Sequence, residues 1–116
     1  MIMLEVSAIT NDPMQEHTVY LPNGEPMGLK LKFLEAQYAW IIEELIYGDY
    51  TFNGINIVDS LNLLYQFSSK LPFGLACYST NKLGPKFIDD FSDKISTLYI
   101  LDEEEVGQIK SVFTGN

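Results

Sequence analysis

His17 and Cys77 are the single histidine and the single cysteine of the chain. A thiolate–imidazole dyad would need these two residues, distant in sequence, to meet in space. The neighbours Leu75-Ala76-Cys77-Tyr78 contain nothing that would activate a nucleophile, and they predict a small buried apolar role for the thiol. His17 falls in a predicted strand, where a surface or cross-strand position accounts for it. No Gly-x-Ser-x-Gly elbow is present, so a serine triad has neither its turn nor a spare histidine. Asp89, Asp90 and Asp93 put three carboxylates within five residues, a density that suits Ca²⁺ or Mg²⁺. Their spacing lacks the glycine and the terminal bidentate glutamate of an EF-hand loop. The second acidic run, Asp102-Glu103-Glu104-Glu105, is explained by the favourable field at a helix start. The expectation is a protein with no catalytic, cofactor-binding or metal-binding residues and no cofactor, and hence no enzyme.

What remains for function is surface. Met14, Met27, Tyr47, Tyr50 and Phe52 lie in or beside predicted turns, and Met and aromatic side chains are enriched at protein interfaces. Met27, Tyr47, Tyr50 and Phe52 are the candidate partner-interface residues.

The elements that would position them are mostly strands. Leu29, Leu31 and Phe33 alternate with Lys30 and Lys32, the period-two pattern of a half-buried strand over Gly28 to Leu34. Glu16 to Leu21 reads as its partner, and the turn-forming run Pro22-Asn23-Gly24-Glu25-Pro26-Met27 predicts a hairpin between the two. Ile2 to Ile9 alternates as well, with Leu4, Val6 and Ala8 on one face. Residues 35–47 carry two signals. Leu34, Tyr38, Ile41, Ile42 and Leu45 recur at helical spacing, whereas Trp40-Ile41-Ile42 is rich in strand formers. Asn53-Gly54 is a two-residue hairpin signal between Thr51-Phe52 and Ile55 to Val58. Leu61 to Tyr65 is too short and too apolar to assign by period. Phe73 to Ser79 and Ile95 to Leu101 read as strands, with Phe73, Leu75 and Cys77, and then Leu98 and Ile100, inward. Asp102 and Glu105 form the capping-box pair of a short C-terminal helix with Val106, Ile109 and Phe113 on its apolar side. The sum is one mostly-β domain over residues 1–116, a small antiparallel barrel or sandwich of six to seven strands with a terminal helix.

Composition narrows the class further. Of 116 residues, sixteen are acidic and seven basic, a formal charge of −9 that opposes direct nucleic-acid binding. Such a charge serves solubility, a basic partner, a place beside a channel that DNA traverses, or mimicry of DNA. A single cysteine forms no intramolecular disulfide and fits synthesis in a reducing cytoplasm. The start Met1-Ile2-Met3-Leu4-Glu5 does not have the pattern of a signal peptide, and no apolar run is long enough to predict a membrane helix.

Taken in order along the chain, these signals resemble the baseplate plug family of contractile phage tails, small tail-module proteins of the cyanophage baseplate plug type. Glu16 to Leu21 followed by Gly28-Leu29-Lys30-Leu31-Lys32-Phe33 resembles the family's opening hairpin, and Trp40-Ile41-Ile42-Glu43 its Trp-centred strand. Asn53 to Val58 and then Ser60 to Leu64 resemble a Gly-Ile-x-Leu-Val segment with a following Asp-Leu-Leu turn. Phe73 to Tyr78 resembles a Gly-Leu-rich strand. Asp89-Asp90-Phe91-Ser92-Asp93, Leu98-Tyr99-Ile100-Leu101 and Glu103 to Val106 resemble an Asp-Asp-Leu-Gly turn, a Leu-Tyr-Tyr strand and a closing Glu-Glu-x. Phe91-Ser92 stands where the family has Leu-Gly, and Ile100 where it has the second Tyr. The similarity runs from residue 16 to 106.

The resemblance implies that residues 38–47 are strand. It also implies a non-enzymatic structural component of the tail baseplate that packs at or plugs the central hub and spike region. Its partners would be hub, spike and other tail proteins, with several copies in a symmetric assembly, and its location the virion after synthesis in the bacterial cytoplasm. No membrane partner is implied. The alternative of a different class is a small acidic inhibitor or immunity-type protein bound to a basic partner, which would need its acids on one continuous face.

Overall fold

The computed structural model describes residues 4–6, 9–67 and 70–114, and its architecture is a two-sheet β-sandwich with a terminal helix. Seven strands appear in the order β1 (Leu4–Glu5), β2 (Met14–Tyr20), β3 (Pro26–Leu34), β4 (Ala39–Tyr47), β5 (Tyr50–Asn56), β6 (Gly74–Ser79) and β7 (Ser96–Leu101). The helix α1 (Glu103–Thr114) follows. Strands β2-β3-β4-β5 form a four-stranded antiparallel meander, and β1-β7-β6 form a three-stranded antiparallel sheet. The two sheets do not close into a barrel, so of the two expected architectures the sandwich is the observed one.

Alternation decides which side chains meet between the sheets. Met27, Leu29 and Leu31 of β3 and Trp40, Ile42 and Leu45 of β4 face Leu75, Cys77, Leu98 and Ile100 from the other sheet, all in one buried cluster. Leu98 and Ile100 point inward as their alternation predicts. Residues Leu75-Ala76-Cys77 are buried in succession because both faces of β6 are covered. Leu75 and Cys77 face the sandwich core, whereas Ala76 joins Leu101, Val106, Tyr99 and Ile109 beneath α1. The capping box is present in both directions: Glu105 Oε1 accepts from the Asp102 amide at 3.0 Å, and Asp102 Oδ1 accepts from the Glu105 amide at 2.8 Å. The Phe113 side chain, Ile2 and Ala8 lie outside the described residues.

Three sequence signals resolve differently from their simplest reading. Residues 35–37 form one 3₁₀ turn that ends at Tyr38, in the left-handed region at φ 50°, and the strand begins at Ala39. The helical spacing of Ile42 and Leu45 comes from a β-bulge. Leu31 pairs with Ile42 and Lys30 with Glu44, which leaves Glu43 as the extra residue on β4, so the next inward position after Ile42 is Leu45. The expected Asn53-Gly54 hairpin turn is a correction: both residues lie inside β5. The chain reverses at Gly48-Asp49, where Tyr47 pairs with Tyr50 and Gly48 takes φ 57°. Gly54, at φ 71°, sits opposite the bulge, where both strands break alternation between Ile55 and Phe52 and between Ile42 and Leu45.

The unassigned stretch after residue 60 has a structural task. Ser60 exchanges both backbone hydrogen bonds with Cys77, and the Leu63 amide donates to the Leu75 carbonyl at 2.6 Å, so this segment covers the free edge of β6. Asn62 completes the cover. Its buried Oδ1 accepts from the amides of Leu64 and Leu75, at 3.0 and 3.1 Å.

Candidate interaction surface

Cys77, His17, Asp89 and Asp90 each have a partner in the fold. Cys77 is buried, and its thiol lies 3.9 Å from Asp59 Oδ1. Burial, and then the Asp59 charge, push its pKa up to about 12, so the thiol is protonated at neutral pH and is a poor nucleophile. His17 is across from Leu29 on the edge strand of the other sheet, with Nε2 2.6 Å from Gln15 Oε1. Asp90 is buried, and its Oδ2 accepts from the backbone amides of Lys86 and Phe87 at 2.8 and 3.0 Å. That carboxylate organises a loop, while Asp89 turns away and accepts from the Asn11 amide group. Among the described residues no group of three His, Cys, Asp or Glu side chains converges to hold a metal ion.

The interface residues expected from the sequence divide into two sets. Met27 is fully buried in the core, because it is an inward position of β3 rather than part of the turn, so it offers no surface. Tyr47, Tyr50 and Phe52 come together at the β4–β5 hairpin. Tyr47 packs edge-on against Phe73 at 5.2 Å between ring centroids. Tyr50 stacks on Phe52 at 6.3 Å, and Phe52 contacts Phe67 at 4.3 Å. Tyr50 is the most exposed of the three, so this ladder is mainly a packed flank of the core with one ring at the surface.

A second surface was not singled out by the sequence. Four large apolar side chains are more than half exposed at one end of the sandwich: Tyr38 at 60%, Val58 at 54%, Leu83 at 66% and Phe87 at 60%. Tyr38 and Phe87 meet edge-on at 6.2 Å. Tyr38, Val58 and Leu83 line a groove of about 440 Å³ that reaches down to Trp40, with Pro85 and Lys86 on its far side. Isolated exposed apolar residues are ordinary, but four gathered around one groove make it the candidate contact surface. No sequence signal pointed to it, because its members come from three separated segments.

The loop carrying Phe87 is held from below. Trp40 is fully buried between Phe33 and Phe91, at 5.3 and 5.6 Å, and its indole N–H donates to the Phe87 carbonyl at 3.1 Å. With the two hydrogen bonds from Asp90, the backbone of residues 86–87 is fixed by three contacts from buried side chains. An apolar hollow of about 600 Å³ also opens on the outer face of the three-stranded sheet, between Ile109 of α1 and Leu61. In comparisons with known proteins, no family model matches this chain and no curated protein matches it.

Proposed function

We propose that the chain is a non-enzymatic structural component of a contractile phage tail baseplate, packing at or plugging the central hub and spike region. The observation that carries this reading is the order of elements: the β2–β3 hairpin, a strand centred on buried Trp40, and the β6–β7 pair with its Asp89–Asp93 loop between them. That is the succession the family resemblance implies. The aromatic flank at the β4–β5 hairpin and the groove at Tyr38 supply two surfaces for mechanical packing against neighbours. Copies arranged around a symmetry axis would use such surfaces repeatedly. A net charge of −9 suits a place beside a DNA conduit, because like charge keeps a passing genome from adhering.

The acidic-inhibitor alternative has less support. Glu43 faces Lys30 and Lys32 at 3.8 and 3.7 Å, and Asp90 and Glu105 are buried. Those carboxylates add little to a continuous acidic face. Cryo-electron microscopy of purified virions tests the proposal: density for this chain is expected at the tail tip. Absence of the chain from intact particles, by mass spectrometry, would sink it.

A further inference from the structure

The groove at Tyr38 inverts the charge of the chain. Acids outnumber bases sixteen to seven overall, yet no carboxylate lines this groove and its one charged lining residue is Lys86. Lys82, next to Leu83, is exposed as well. Neither lysine makes an ion pair among the described residues, whereas Lys30, Lys32 and Lys94 each face a glutamate. Among the described residues three non-glycine residues are at positive φ, and two of them, Tyr38 at 50° and Lys82 at 59°, stand beside it. A left-handed backbone costs a bulky side chain on the order of 1 kcal/mol, and such strain concentrates where a surface is used. The loop backbone beneath Lys86 and Phe87 is fixed by Trp40 and Asp90, so the platform is organised before any partner arrives.

From this convergence we infer that the groove docks a segment of a partner protein that combines carboxylates with bulky apolar side chains. The apolar groups would fill the groove between Tyr38, Val58 and Leu83, and the carboxylates would meet Lys82 and Lys86. Nucleic acid has the same sign of charge, but it is negative along its whole length and is opposed by the remaining surface. A polypeptide confines its carboxylates to the few residues that reach the lysines. A second copy of the chain meeting the patch face to face would set lysine against lysine. The inference is independent of any role in a phage tail.

The test uses the full chain, isotope-labelled for NMR, titrated with a short synthetic peptide alternating glutamate with leucine and phenylalanine. Saturable shifts are expected at Tyr38, Val58, Leu83, Lys86 and Phe87. A peptide with lysine in place of every glutamate should leave these signals in place. The double variant Lys82→Glu/Lys86→Glu changes two exposed side chains and should weaken binding about tenfold or more. Tyr38→Gly relieves the left-handed backbone, so it should keep the fold while also losing affinity. No shift at the groove with millimolar peptide would overturn the inference. So would equal binding of the lysine peptide, tighter binding of a single-stranded oligonucleotide there, or a concentration-dependent dimer that protects the same residues.

Discussion

Replacing Gly74 by alanine isolates the contact that closes the edge of β6. A Cβ at this position would lie 2.6 Å from Asn62 Oδ1, 2.8 Å from its Cγ and 2.9 Å from its Nδ2. Gly74 is not at positive φ, so the backbone itself accepts alanine and the cost is steric alone. Asn62 is buried and its oxygen holds two amides, so the displaced side chain lengthens both hydrogen bonds together. Each buried amide left without its acceptor costs about 1–3 kcal/mol, which for two amides places Gly74→Ala at about 2–6 kcal/mol of destabilisation. Urea unfolding of the chain measures it. Asn62→Ala removes the same two hydrogen bonds without a clash, so Gly74→Ala should add little to it, and the double-mutant cycle should show a coupling close to the whole cost of Gly74→Ala, about 2 kcal/mol or more. A Gly74→Ala variant within about 0.5 kcal/mol of the parent, or a coupling near zero, would refute the account of the β6 edge.

Other perturbations reach other parts of the fold. Trp40→Phe removes the indole donor to the Phe87 carbonyl and leaves a space between Phe33 and Phe91, which should cost about 2–3 kcal/mol in the same assay. As the single Trp, Trp40 should also give blue-shifted emission that acrylamide quenches poorly until the chain unfolds. Asp102→Ala removes the carboxylate that accepts from the Glu105 amide, one of the two hydrogen bonds of the capping box, and should cost about 1 kcal/mol, with thermal unfolding as the readout. The Cys77 thiol has its pKa raised from 9.0 to about 12 in the fold, so the unfolded chain loses its proton first. The stability advantage of the parent over Cys77→Ala should therefore be constant below pH 9 and shrink as the pH rises from 9 towards 12. An advantage that grows over that range would contradict the buried, protonated thiol.

The alternation patterns and the turn signals met different fates for a physical reason. The strand formers around Trp40 left that segment open between strand and helix, because the bulge at Glu43 imitates helical spacing and hides the register of Leu45. Met27 looked like a turn residue because Pro22 to Pro26 precede it. The pairing Val19–Met27 extends the strand one step further and turns that side chain into the core. Asn53-Gly54 carries the strongest local hairpin signal, yet the two-residue turn forms at Gly48-Asp49, where the partners Tyr47 and Tyr50 and the inward set Leu45 and Phe52 match across the strands. A turn dipeptide proposes a reversal, and the burial of the flanking strands decides between two candidates.

For the surface, Tyr47, Tyr50 and Phe52 were legible because they are close in sequence, whereas the groove at Tyr38 was not. Tyr38, Val58, Leu83 and Phe87 belong to a 3₁₀ turn end, the strand exit after β5 and the loop before β7, and none of these segments indicates the others. By itself the sequence determined what depends on neighbours a few residues apart: the alternating faces of β3 and β7, the capping box of α1, and the scarcity of groups for catalysis. The tertiary structure alone decided what depends on distant segments meeting: the open sandwich rather than a barrel, the Asn62 seal against Gly74, and the groove whose charge opposes that of the chain. Local preferences act through short-range sterics and hydrogen bonds, while convergence follows from burying two sheets against each other, and no single segment encodes that.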